Sequence, residues 1–138
     1  MEELKQLLKQ RKLTCIVRQN KLVYEAETNG IQPLLHFIEQ GVLRNSEVVD
    51  KVIGKAAALL MVYGGVSRVH AFTISEHALR VFEDHTILIT YDQCVPYIIN
   101  RQKDGMCPME QTVLSCEDAT TAYELLLQKT KDMKKTKA

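Results

Sequence analysis

Ser46-Glu-Val-Val-Asp-Lys-Val-Ile-Gly-Lys-Ala-Ala-Ala-Leu-Leu-Met-Val-Tyr63, closed by Gly64-Gly65, is the stretch on which the reading of the fold turns. Ser46 is a good helix N-cap and the glycine pair a good C-terminal stop, so the pattern predicts one long helix over 46–63. At 100° per residue its apolar side chains sweep from about −20° to about 200°. Only Glu47, Asp50 and Gly54 form a clearly polar sector. A helix this apolar is expected to be buried over most of its circumference. Lys55 then stands at its centre, where a lysine has no routine structural reason to be.

Outward from this stretch, hydrophobic periodicity assigns the other elements. Residues 2–11 form a short amphipathic helix, and 13–18 and 22–27 a β-hairpin. A second short helix covers 33–40. After the glycine pair come a strand over 66–74, a helix over 76–84 capped by Ser75, and a continuous apolar strand over 86–91. Asp92 to Gly105 reads as irregular apart from the apolar run 95–99. Gly105-Met-Cys-Pro-Met-Glu110 opens a short helix, and Ser115-Cys-Glu-Asp118 begins the last one, through about Lys131, with a frayed tail from about 132. The fold class expected is α/β: a single domain over 1–138, built as a three-layer α/β/α sandwich with a mixed sheet.

Composition narrows the function classes. A formal net charge of +1 lacks the basic excess that nonspecific nucleic-acid binding uses to neutralise phosphates. No apolar segment has the length of a membrane span and the first residues have no signal-peptide pattern, so a cytoplasmic protein is expected. Cys15, Cys94, Cys107 and Cys116 have no framework or Cys-x-x-Cys spacing and read as free thiols.

Gly54-Lys-Ala-Ala-Ala-Leu-Leu60, Val95-Pro-Tyr-Ile-Ile-Asn-Arg101 and Gly105-Met-Cys-Pro-Met-Glu110 together resemble a small uncharacterised prokaryotic family with a cytidine-deaminase-like fold that lacks the zinc motifs. Active zinc deaminases open one helix with His-x-Glu or Cys-x-Glu and the next with Pro-Cys-x-x-Cys. The corresponding places here are Gly54-Lys-Ala-Ala57 and Ser75-Glu-His-Ala78, which supply neither. The resemblance therefore implies a fold and a pocket location without zinc, and argues against zinc-dependent deamination. No metal and no cofactor is expected.

The candidate catalytic residues are Lys55, Cys107 and Glu110. Lys55 is read either as a desolvated site lysine or as one whose stem packs while its ammonium reaches solvent or a carboxylate. Cys107 and Glu110 flank Pro108 at a helix start. That places the thiol at the positive end of a helix dipole, or else makes the pair a cap in which Glu110 bonds back to its own N-cap amide. Ser75, Asn100 and Arg101 are the candidate ligand-binding residues, Arg101 for a bidentate carboxylate or phosphate contact. Two functions follow: a zinc-free pocket for a small molecule, nucleobase- or nucleotide-like by analogy of fold, or a non-enzymatic module in which the same groups stabilise the fold and a homodimer.

Overall fold

The computed structural model of the chain describes residues 1–28, 30–98, 105 and 107–137, with side chains through residue 132. The elements run α1 (Glu2–Gln10), β1 (Cys15–Gln19), β2 (Leu22–Ala26), α2 (Gln32–Gln40), β3 (Glu47–Ile53), α3 (Lys55–Gly64), β4 (Arg68–Ser75), α4 (Glu76–Asp84), β5 (Leu88–Val95), α5 (Pro108–Thr112) and α6 (Ala119–Lys137). One mixed sheet has the order β2-β1-β3-β4-β5. The hairpin and β3 are antiparallel neighbours, whereas β3, β4 and β5 are parallel.

The expected long helix is two elements. Residues 47–53 form the central strand, and the helix begins only at Lys55. Ser46 caps no helix; its hydroxyl donates to the Leu43 carbonyl at 2.7 Å. The physical reason is that both sides of β3 are covered. Val48 faces the main core with Val17 and Val69, while Val49 faces α1 together with Leu4, Leu8, Leu13 and Ile16. A strand buried on both faces reads as an apolar run without alternation, and such a run has no period of its own to separate it from a buried helix.

The layers follow from these two cores. α1 lies alone on one face, held by Leu4 and Leu8 and by the Lys9 ammonium 5.1 Å above the Phe72 ring. The other helices that join the core, α2 to α6, share the opposite face. α3 sits at the middle of that layer, with Lys55 through Met61 all buried. Its close approach to the loop before β3 requires a glycine: a Cβ on Gly64 would stand 2.7 Å from both Cβ and Cδ1 of Leu43. Tyr63 stacks on Tyr123 of α6 at 4.3 Å between ring centroids.

Two smaller expectations also shift. The last helix is capped by Asp118, whose carboxylate accepts from the Thr121 amide and hydroxyl at 2.8 Å each, and α6 continues past the expected end at Lys131. β5 starts two residues later than predicted and extends to Val95. Among the described residues, no helix is long and apolar enough to cross a membrane.

The strand assignment of 47–53 has a direct test. Val49→Ala removes two methyl groups from a fully buried site and should lower the unfolding free energy by about 2 kcal/mol. Val52→Ala, at a position 48% exposed, should stay within about 0.5 kcal/mol of the parent. Urea melts in which both substitutions stabilise the chain, as alanine would in a helix, would contradict the assignment.

Candidate functional site

β3 and β4 end side by side, with Ile53 in register with Ile74. The next residues open α3 and α4, so Lys55 and Ser75 sit at neighbouring carboxyl ends of parallel strands. This is where open α/β sheets commonly bind ligands. The first turn of α3 presents unpaired amides there, a natural anion site.

The chain fills that site itself. Glu110, on the second turn-forming residue after Pro108 in α5, is buried, and its carboxylate accepts from the Lys55 amide through Oε1 and the Ala56 amide through Oε2, each at 2.7 Å. Gly54, the N-cap, has no side chain to offer, and a Cβ there would stand only 2.8 Å from the farther carboxylate oxygen. A glycine at 54 is thus the steric counterpart of a glutamate at 110. Lys55 closes the contact from the other side: its buried Nζ donates to the Leu114 carbonyl, just beyond α5, at 2.8 Å, and lies 3.7 Å from the exposed Glu117 carboxylate. Each helix end is therefore satisfied by a side chain of the other element.

Glu110 therefore does not form the capping box expected within its own helix. The Cys107 amide that it would have reached donates to the Ile98 carbonyl at 3.0 Å. Cys107 is the N-cap of α5 but makes no side-chain cap bond. Ser75 is a cap as expected, its Oγ accepting from the Ala78 amide at 3.1 Å. Asn100 and Arg101 lie outside the described residues. The structure thus brings Lys55 and Glu110 together, sets Cys107 three residues before Glu110, and places Ser75 at the adjacent helix start. A groove of ≈550 Å³ lies elsewhere, between the end of β2, α2 and α6, lined by Gln32, His36, Glu39 and Lys131 among others. None of the predicted site residues that are described lines it.

The donor set at the two helix starts does not fit zinc. Glu110 is engaged by two amides, Lys55 is a donor, and among the described residues no three His, Cys, Asp or Glu side chains are grouped to hold a metal.

Two polar groups beside the central strand escaped the sequence reading. Asp50, partly covered on β3, stands opposite Cys15 of the neighbouring strand. Burial pushes its carboxyl up to about 7, against the opposing pull of the Val52 and Lys51 amides and of Cys15. Burial, and then the nearby Asp50 charge, push the Cys15 thiol well up. On the α1 face, the buried His70 holds Thr90 Oγ1 through Nδ1 at 2.7 Å, with Nε2 3.3 Å from Asp92 Oδ1. Burial lowers the His70 pKa, and Lys5 lowers it further. The available signal was a charged or imidazole side chain inside a β-branched run, Val-Val-Asp-Lys-Val-Ile and Val-His-Ala-Phe.

Glu110→Gln keeps the shape but turns an amide group toward one of the two backbone N–H donors. It should cost about 2–3 kcal/mol in urea unfolding. Lys55→Met strands the Leu114 carbonyl and should cost about 1–3 kcal/mol. Unchanged stability in both variants would mean that the two contacts do not hold the fold. Asp50 gives a pH signature. An unfolded aspartate titrates near about 3.9, so between about pH 4 and 7 the folded chain keeps a proton that the unfolded chain releases. Its contribution to stability is lost as pH rises through that window. The stability of Asp50→Asn relative to the parent should therefore increase from pH 5 to pH 8; His70 is common to both chains and cancels. A constant difference would place the Asp50 carboxyl in an ordinary, solvated state.

Comparison with other proteins agrees with this architecture. The crystal structure of a DUF1893 family protein (TM1506) from Thermotoga maritima is similar, with a TM-score of 0.87 and 25% identity over 93% of this chain and 88% of that one. No curated protein matches the chain. The family model described as "TM1506: Domain of unknown function (DUF1893)" matches residues 3–130, and the chain belongs to that family.

Proposed function

We propose that this protein is a non-enzymatic binding module with a cytidine-deaminase-like fold, acting as a homodimer, in which the catalytic corner of the fold is closed by the chain's own side chains. The fold reading is supported by the succession of hairpin, helix and βαβ units, with Gly54-Lys55 and Ser75-Glu76 opening consecutive helices at the ends of β3 and β4. The observation that carries the functional reading is the Glu110 carboxylate, bound by the two amides that would otherwise face an anionic or polar ligand. A ligand at this place would have to displace a buried, doubly hydrogen-bonded carboxylate and leave it without equal partners. Lys55 and Ser75, the other groups that would serve a pocket here, are held by backbone as well.

The competing reading is a zinc-free pocket for a nucleobase- or nucleotide-like molecule that uses Lys55, Cys107 and Glu110 in catalysis and Ser75, Asn100 and Arg101 in binding. Isothermal titration with cytidine, uridine, adenosine and their monophosphates separates the two. The module should give no saturable heat up to millimolar ligand. Micromolar binding that Ser75→Ala or Lys55→Met abolishes, in a variant still folded by circular dichroism, would overturn the module reading and restore the pocket.

A further inference from the structure

The two edges of the sheet are built differently. β2 is five residues long, follows Lys21, and carries Glu25, which is paired with Arg11. Short length and charge are the usual protection of an edge strand against pairing with another chain. β5, at the other edge, has less of it. It is eight residues long, contains no proline, lysine or arginine, and keeps one constant offset against β4 from Arg68↔Leu88 to Ser75↔Val95. Six of its eight residues are exposed, Leu88 at 63% and Tyr91 at 43%. The sequence Leu-Ile-Thr-Tyr-Asp-Gln-Cys-Val is rich in strand formers and holds a single charge, Asp92. Among the described residues β5 pairs with β4 alone.

From this edge we infer that β5 pairs antiparallel with β5 of a second copy about a twofold axis at Tyr91, joining two five-stranded sheets into one. The inference rests on the homodimer named above and gives it a surface. Parity, strand overlap and charge together select the register. Along a strand, alternate residues turn their amide and carbonyl outward, and directly opposed residues in an antiparallel pair must both point outward or both inward. The residue numbers of opposed partners must therefore add to an even total, which sets the twofold on a residue. Centred on Asp92, the pairing would face two carboxylates directly, which is repulsive. Centred on Tyr91, it opposes the two tyrosine rings and sets each Asp92 against the Thr90 hydroxyl of the other copy. Thr90 already meets His70 Nδ1 through the same oxygen, so its hydroxyl is held in place on this face of the sheet. Leu88 then lies opposite Cys94, and seven residues of each strand are paired. Of the two registers that pair seven residues of each strand, centred on Tyr91 or on Asp92, it is the one that leaves no like charges opposed.

Light scattering on the full chain from micromolar to hundreds of micromolar tests this. The parent should approach twice the 15.7 kDa chain mass. Tyr91→Lys faces two ammonium groups at the axis and should raise the dissociation constant at least tenfold, while Leu22→Lys on β2 should leave it unchanged. A parent monomeric throughout would overturn the inference without touching the titration result for the module. So would a Tyr91→Lys chain, folded by circular dichroism, that still dimerises like the parent. Should Tyr91→Lys fail to fold, Tyr91→Cys in a Cys94→Ser background replaces it. Opposed Cα atoms about 4.5–5.5 Å apart are within disulfide reach, so mild oxidation should give a reducible dimer band. A dimer that yields no such band places the interface elsewhere.

Discussion

Two amides and one carboxylate organise this molecule: Glu110 accepting from the first two residues of α3. α3 is the most buried helix of the structure, and its N-terminus ends against protein, where water cannot satisfy the free amides. Something acceptor-rich must stand there, and in this chain it comes from 55 residues beyond Lys55 and 54 beyond Ala56. The contact fixes α5 against α3, and Lys55 reaching the Leu114 carbonyl fixes the exit from α5. Gly54 follows as a steric requirement, since any side chain would occupy the space of the carboxylate. A helix end that can attract an anionic ligand is in this way turned into a structural joint.

The central strand imposes the second constraint. β3 is covered on one face by α1 and on the other by the α3 layer, which leaves no room for solvated groups along Val48 and Val49. Asp50 next to them is raised toward the protonated form by burial, against the opposing pull of the Val52 and Lys51 amides and the Cys15 thiol. His70 on β4 is handled in a similar way, with Thr90 on one ring nitrogen and Asp92 near the other. The two sets lie on opposite faces of the sheet, Cys15 and Asp50 on the side of the main core and His70 with Thr90 and Asp92 on the side of α1. The sheet thus changes character from its guarded β2 edge to its open β5 edge, and the association surface proposed here is where the covering layers stop.

Much of this was legible from the sequence. The hairpin, α2, α4 and the start of α5 follow from alternation, period and the placement of Pro33, Gly41, Ser75 and Pro108, all local signals that act within a few residues. Ser75 was identified as a cap because an N-cap depends only on its own first turn. The α/β class, the mixed sheet and the importance of Lys55 and Glu110 were visible for the same reason, as unusual residues at recognisable boundaries.

What the sequence could not decide depended on partners far along the chain. Whether 46–63 is one helix or a strand and a helix turns on the second face of β3, covered by α1 from the N-terminal end of the chain; the run of valines is compatible with either until that cover exists. Whether Glu110 serves its own helix or another is equally nonlocal. Its carboxylate can reach the Cys107 amide or the α3 amides, and tertiary packing chose the latter by giving Cys107 a carbonyl from Ile98 and leaving the α3 end with no other acceptor. Periodicity and capping are written into neighbouring residues, whereas the satisfaction of a buried polar group is settled only when distant segments meet.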